Sequence, residues 1–136
     1  MAFVVGDRMT RDVVTATPDE TLAAAAAKMK AGNFRRLPVV DKGELVGIIS
    51  EFDLRLHNNA LEKTLIAKAM TRHPVAIESS ETQEHAAKLM GDREIGALPV
   101  LKGGKLAGIV TAKDLMMPEP SPLPEWNPRK RPPSGE

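Results

Sequence analysis

The sequence predicts an α/β fold in which two tandem β-α-β-β-α repeats pack as a pseudo-two-fold pair. The repeat shows as a fixed offset, since Met9-Thr10-Arg11 recurs as Met70-Thr71-Arg72, 61 positions later (70 − 9). Further matches at this offset are Leu37-Pro38-Val39 with Leu98-Pro99-Val100, Gly47-Ile48 with Gly108-Ile109, and Asp53-Leu54 with Asp114-Leu115. Self-similarity at a fixed period identifies the structural unit. Because two copies are too few for an open solenoid, we expect them to bury one apolar face against each other and to leave a cleft between them.

Each repeat opens with a short run of β type. The two runs are residues 13–16 and 74–77, and a turn follows each of them at residues 17–20 and 78–81. Short apolar runs bounded by turn residues are typical of strands. We therefore expect a first strand in each repeat, directly ahead of its first helix.

The first helix of each repeat is predicted from apolar residues at helical spacing. Thr21 and Thr82 are the expected N-caps, because a hydroxyl there can accept a free backbone N–H. Thr17 is a competing N-cap, since a proline follows it and a glutamate lies three residues later. Gly32 is expected to end the first helix, and Gly91-Asp92 lies near the end of the second.

Two strands then form a β-hairpin in each repeat. The strands are residues 36–40 and 44–49 in the first copy, and 98–101 and 105–110 in the second. Gly43 and Gly104 supply the positive φ that a tight hairpin turn requires. A proline in the first strand of each hairpin removes one ladder donor, which favours an edge or cleft-facing position for that strand.

A last, short helix begins in each repeat at a Ser/Thr-x-x-Asp motif. The two motifs are Ser50-x-x-Asp53 and Thr111-x-x-Asp114. Each has the form of a capping box, with a hydroxyl at the N-cap and a carboxylate three residues later. Many helices carry such a box without any ligand nearby, so the pattern alone leaves a purely structural role open.

Composition disfavours several functional classes. Hydrophobic residues make up 42% of the 136 residues and aromatic residues only 3%, so the core must be aliphatic. Lysine and arginine number 19 against 18 acidic residues, so the chain lacks the basic excess of a typical nucleic-acid-binding protein. It also has few of the aromatic residues on which bases stack. No apolar run approaches the ~20 residues of a membrane span. The apolar stretch at the N-terminus is too short for a signal-peptide core, so we expect a cytoplasmic protein.

The chemistry of the side chains argues against catalysis. Cysteine is absent, which excludes disulfides, thiolate zinc sites and cysteine nucleophiles. The three histidines, His57, His73 and His85, lack metal-ligand spacing. No nucleophile is grouped with a base and an orienting partner. We expect no metal, no cofactor and no enzymatic activity.

The motifs together resemble those of the CBS domain, named after cystathionine β-synthase. Each repeat has Met-Thr at its head, Leu-Pro-Val in its middle and Gly-Ile-x-(Ser/Thr)-x-x-Asp-Leu at its end. Two such repeats in tandem resemble a CBS pair, or Bateman module, over about residues 5–115. The resemblance implies a discoid module that pairs into homodimers. It also implies an adenosyl ligand, such as AMP, ADP, ATP, S-adenosylmethionine or cyclic di-AMP, in clefts between the repeats.

The resemblance implies two ligand sites. In that family the Asp of the terminal motif contacts ribose hydroxyls, and the Ser or Thr three residues earlier contacts ribose or phosphate. Asp53 with Ser50 then marks one site, and Asp114 with Thr111 marks the other. The chemistry is sound, because a carboxylate accepts two hydrogen bonds from a vicinal diol.

The rest of each site follows from the same resemblance. The backbone of the opening strands, Val14-Thr15 and Val75-Ala76, would contact the adenine edge. Arg35 and Arg36, just before the middle proline, would contact phosphate in forked geometry. Their second-copy counterparts are Gly96 and Ala97, so one phosphate locus is better equipped than the other. The alternative is that this arginine pair is merely solvated at a strand entry.

The predicted organisation is repeat 1 at residues 1–60, repeat 2 at residues 61–117 and a Pro-rich tail at residues 118–136. Trp126 lies in that tail and is a candidate interface anchor, although a free linker fits its proline content equally well. The function predicted is a regulatory module that binds an adenosyl ligand and signals to a protein partner by a conformational change. The alternative is a dimerisation platform of the same fold that binds no nucleotide.

Overall fold

A computed structural model describes residues 3–116, which fold as two similar α/β units. The helices are α1 (Leu22–Gly32), α2 (Glu51–Leu56), α3 (Ile66–Ala69), α4 (Gln83–Arg93) and α5 (Ala112–Met116). The strands are β1 (Arg36–Asp41), β2 (Glu44–Ser50), β3 (Thr71–Arg72), β4 (Ile77–Glu78), β5 (Ala97–Lys102) and β6 (Lys105–Thr111). Single 3₁₀ turns lie at Val5–Asp7 and Asn58–Ala60. The α/β fold class is confirmed, whereas the tail and Trp126 lie outside the described residues.

Two three-stranded sheets carry the repeats, in the orders β1-β2-β3 and β4-β5-β6. β1 pairs antiparallel with β2, and β5 with β6, as the hairpin prediction requires. Lys42 and Gly43 in the first turn both have positive φ, at 54° and 84°, and Gly103 and Gly104 match them at 60° and 84°. Both hairpins therefore turn through two left-handed residues, the geometry that suits the twist of the paired strands.

The opening strands are much shorter than the sequence predicts. In the first repeat only Ala16 pairs, in a parallel bridge with Val39. The N–H of Ala16 donates to the carbonyl of Pro38 at 3.0 Å, and the N–H of Val40 donates to the carbonyl of Ala16 at 2.8 Å. A ladder continued toward Val14 would need an N–H at position 38, which proline lacks. The proline therefore ends the pairing where residues 13–15 enter the cleft.

A second proline explains why the opening strands differ between the repeats. β4 is two residues long, and beyond it the N–H of Ser79 donates to the carbonyl of Leu101 at 2.8 Å. The corresponding residue of the first repeat is Pro18, which has no N–H to donate. The first repeat is therefore left with a single bridge where the second has a short strand.

The helix N-caps are those predicted. The hydroxyl of Thr21 accepts from the N–H of Ala24 at 3.2 Å, and that of Thr82 accepts from the N–H of His85 at 3.1 Å. Thr17 is not a cap, because its hydroxyl is bonded to Asp19 at 2.6 Å.

α1 ends at Gly32, as predicted, but neither α1 nor α4 has a glycine in the left-handed position that follows its last residue. Asn33 and Glu94 end α1 and α4 in the left-handed conformation, with φ of 58° and 56°. Gly32 is the last residue of α1, where any β-carbon would overlap the ring of Phe34. Glycine is needed at position 32 because of this close approach of the aromatic ring, and Asn33 makes the turn.

The opening segment of each repeat packs on the body of the other repeat. Near the N-terminus, the N–H of Val5 donates to the carbonyl of Glu81 at 2.8 Å. Thr10 and Ile109 exchange two backbone hydrogen bonds, at 2.8 and 3.1 Å. In the opposite direction, β3 pairs with β2, and the N–H of Leu22 donates to the carbonyl of Thr64 at 2.9 Å. The exchange ties the two repeats together through backbone contacts.

Two aliphatic clusters form the core, and each contains residues from the exchanged segments. Ile66 and Met70 are buried in the cluster of the first repeat, and Val5 is buried in that of the second. Leu37 and Leu98, in corresponding positions of the two Leu-Pro-Val motifs, are fully buried. Within residues 3–116, no helix is long and apolar enough to cross a membrane.

Candidate functional site

Both Ser/Thr-x-x-Asp motifs form capping boxes. The backbone N–H of Ser50 donates to Asp53 Oδ2 at 2.9 Å, and Ser50 Oγ accepts from the N–H of Asp53 at 3.3 Å. The N–H of Thr111 donates to Asp114 Oδ2 at 2.9 Å, and Thr111 Oγ1 accepts from the N–H of Asp114 at 3.1 Å. Both motifs therefore have the helix-capping role that the sequence pattern left open.

The capping boxes leave one carboxylate oxygen available in each motif. Both Asp53 and Asp114 are only partly buried, and each uses Oδ2 for its cap. Within the described chain, the Oδ1 atoms of Asp53 and Asp114 accept no hydrogen bond. A carboxylate held rigidly by one oxygen can offer the other to a ligand hydroxyl, so capping and ligand binding are compatible.

A cleft of about 640 Å³ lies between the repeats beside Thr111. We call it the Thr111 cleft. The residues that line it are Thr10, Asp12, Val13, Val14, Asn33, Phe34, Arg35, Arg36, Gly96, Ile109, Thr111 and Lys113. The volume falls in the range of small-molecule pockets. The opening segment and the α1–β1 loop come from the first repeat, and the end of β6 with the start of α5 comes from the second.

The Thr111 cleft brings together four of the predicted site residues, which are Val14, Arg35, Arg36 and Thr111. Thr15 lines a neighbouring groove of about 400 Å³, which shares Asp12 and Val13 with the Thr111 cleft. The remaining predicted residues are Ser50, Asp53, Val75, Ala76 and Asp114, and none of them is among those that line either space. Val75 packs instead against the second core cluster.

The guanidinium of Arg36 reaches from the first repeat to the second. A β-carbon placed on Gly96 would lie 3.5 Å from Arg36 Nη2. The carbonyl of Gly96 accepts from the N–H of Ala112 at 2.9 Å, which is the first residue of α5. The positive charge of Arg36 therefore lies beside the junction of β6 and α5, where Thr111 is located.

Sequence reasoning missed several residues of the Thr111 cleft. Lys113 is exposed on α5 and adds a third cation. Asp12 adds a carboxylate, and its φ of 55° places a non-glycine residue in the left-handed region at the edge of the cleft. Lys113 stands between Thr111 and Asp114 in the motif, so comparison with its counterpart, Phe52, could have revealed it. Nothing in the sequence pointed to Asp12.

A family model for the CBS domain matches residues 5–57 and, a second time, residues 66–117. The chain belongs to the CBS-domain family. The resemblance noted from the motifs is thus confirmed, and the two matches make the chain a tandem CBS pair. In the structure, the Met-Thr motif of each repeat lies against the Gly-Ile motif of the other repeat. Thr10 bonds with Ile109, and Thr71 pairs with Ile48.

Curated relatives include proteins of similar length. The uncharacterized protein YlbB from Bacillus subtilis is 39% identical over 120 residues, which cover 85% of this chain and 81% of that protein. A CBS domain-containing protein from Dictyostelium discoideum is 39% identical over 131 residues, covering 85% and 90%. The inosine-5'-monophosphate dehydrogenase of Korarchaeum cryptofilum is 34% identical over 114 residues, but these are only 24% of the enzyme. The chain therefore matches only a part of that enzyme.

Solved CBS structures have the same fold. The structure of CBSX2 in complex with AMP superposes with a TM-score of 0.75 at 30% identity, covering 83% of this chain and 93% of that one. CBSX2 is a CBS-pair protein from Arabidopsis thaliana. The CBS domain pair of protein MJ0100, solved with 5'-methylthioadenosine and S-adenosyl-L-methionine, gives a TM-score of 0.76 at 31% identity, covering 85% and 94%.

Proposed function

We propose that this CBS pair is a regulatory, non-enzymatic module that binds an adenosyl ligand of the AMP, ADP or ATP type and signals its presence to a protein partner. The observation that carries the proposal is the Thr111 cleft, in which residues of both repeats converge on one pocket-sized space. Relatives of the same fold that were solved with AMP, 5'-methylthioadenosine and S-adenosyl-L-methionine support the class of ligand.

Each part of the ligand would meet a suitable group in the Thr111 cleft or, for Asp114, in the capping box of Thr111 at its edge. Asp114 Oδ1 would accept hydrogen bonds from the ribose hydroxyls, because its other oxygen is held by the cap. The backbone around Val14, whose side chain is 44% exposed, would contact the adenine. Arg35 and Arg36 would contact phosphate. Asp53 with Ser50, and Val75 with Ala76, would form the corresponding site of the other repeat.

Signalling would follow from the position of the ligand between the repeats. A ligand that contacts both repeats binds one relative orientation more tightly than others, and so shifts the population toward it. A homodimer interface or a partner surface that depends on this orientation then changes with ligand concentration.

An adenine nucleotide should therefore stabilise the fold. Ligand at 100 times its dissociation constant adds about 2.7 kcal/mol to the free energy of unfolding. For a domain of this size, that should raise Tm by roughly ten degrees. The measurement is a thermal-shift series with AMP, ADP, ATP, S-adenosylmethionine, NAD and cyclic di-AMP. An unchanged Tm with every adenosyl compound would contradict the proposal.

The second candidate is a dimerisation platform that binds no nucleotide. It is favoured by exposed apolar side chains one turn apart on α2, where Phe52 is 60% and Leu56 is 65% exposed. Residues four apart share a helix face, so these two form an apolar surface suited to a partner. In this case a Phe52→Ser, Leu56→Ser variant would dissociate in sedimentation velocity, and Tm would not respond to any adenosyl compound.

A further inference from the structure

Three cations line the Thr111 cleft, and the internal repeat does not reproduce them. They are Arg35 and Arg36 from the first repeat and Lys113 from the second. At the 61-residue offset, their counterparts are Gly96, Ala97 and Phe52, all uncharged. These three equivalent positions therefore carry no positive charge. Gly96 also lines the cleft, and its own counterpart is Arg35, which lines the Thr111 cleft itself.

The cations of the cleft are not neutralised by the protein. Among residues 3–116, Arg35, Arg36 and Lys113 make no salt bridge within 4.0 Å and no side-chain hydrogen bond. Asp12 is the acidic residue among those lining the cleft, so the lining side chains carry a net charge of +2 (3 − 1). Like charges concentrated in one cleft attract an anionic ligand.

The cations also reach the cleft from both repeats. The Arg36 guanidinium lies against Gly96. The carbonyl of Gly96 accepts a hydrogen bond from the first residue of α5, and Lys113 is the second residue of that helix. A phosphate group in the cleft could thus meet one cation from each repeat.

We propose that the Thr111 cleft is the single phosphate-accepting site of each chain, with Arg36 and Lys113 contacting the same phosphorylated ligand from opposite repeats. The side of Ser50 and Phe52 takes no phosphorylated ligand. This inference rests on the proposed function, because it assumes that an adenosyl ligand binds between the repeats. It adds that the phosphate forms a second link between the repeats, besides the contacts of the nucleoside with Val14 and Asp114.

The test is isothermal titration of the whole chain with AMP and with adenosine. We expect one AMP per chain. Arg36→Ala and Lys113→Ala should each weaken AMP about three- to tenfold, between the effects of an exposed ion pair and a charge-assisted hydrogen bond. Adenosine affinity should change less than about twofold, because adenosine has no anionic oxygen for these cations to contact. Lys68→Ala removes an exposed cation on α3 that lines neither space, and should change neither affinity.

The outcomes separate this inference from the proposed function. Two equivalent AMP sites per chain, or equal losses for AMP and adenosine in the variants, would overturn the inference while an adenosyl ligand still binds. Failure of both AMP and adenosine to bind, together with an unchanged Tm with every adenosyl compound, would refute the proposed function and the inference with it. Circular dichroism of each variant shows whether a loss of affinity reflects a loss of fold.

Discussion

Asp114→Asn should lower the affinity for AMP by roughly ten- to a hundredfold, since hydrogen bonds to a charged group contribute about 1.5–3 kcal/mol. The asparagine carbonyl can still accept the N–H of Thr111, which Asp114 Oδ2 now accepts at 2.9 Å, so the capping box is retained. The amide nitrogen then stands in place of the free oxygen and cannot accept a ribose hydroxyl. Isothermal titration measures the affinity, and urea unfolding measures the stability.

Asp53→Asn is the matched control for this substitution. It makes the same change in the other capping box, where Ser50 donates its N–H to Asp53 Oδ2 at 2.9 Å. If the Thr111 cleft is the only site for AMP, Asp53→Asn leaves AMP affinity unchanged. If both carboxylates serve only as caps, neither variant changes affinity, and each loses at most about 1 kcal/mol of stability. That second result would remove Asp114 from the proposed site.

Gly108→Ala should destabilise the fold by about 1–3 kcal/mol, the cost of overpacking a close contact. A β-carbon at position 108 would lie 2.8 Å from Met9 Sδ, and even nearer the carbonyl of Thr10. That carbonyl accepts the N–H of Ile109, so the methyl group would displace the exchanged N-terminal segment from β6. Urea unfolding should show a lower midpoint, and the segment before Thr10 should become more accessible to protease.

Gly91→Ala is the control for the Gly108 variant. Gly91 lies within α4. Apart from its chain neighbours and the backbone of its own helix, no heavy atom of the described chain is within 4 Å of its β-carbon position. The same added methyl group should therefore stabilise the protein, by about 0.4–1 kcal/mol. Equal stability changes at the two positions would contradict the claim that Gly108 is required for close packing of Met9 and Thr10.

The elements that the sequence predicted well are those whose causes are local. The hairpin turns depend on backbone conformation at residues 42–43 and 103–104, and glycine signals that conformation. The caps at Thr21 and Thr82 depend on a hydroxyl three residues before an N–H. The opening strands were predicted too long because their length depends on a distant partner. Pro38 lies on that partner strand and blocks pairing beyond Ala16.

The amino-acid sequence by itself determined the repeat, the α/β class, the family and the chemistry of two capped carboxylates, because these follow from spacing and residue type. Only the tertiary structure decided which groups meet. It placed Met9 and Thr10 on Gly108 of the other repeat, and brought Arg36 and Lys113 to one cleft. These pairings depend on how two similar units pack across a pseudo-two-fold axis. A difference of 61 positions along the chain shows that residues correspond, but it does not show which of them come into contact.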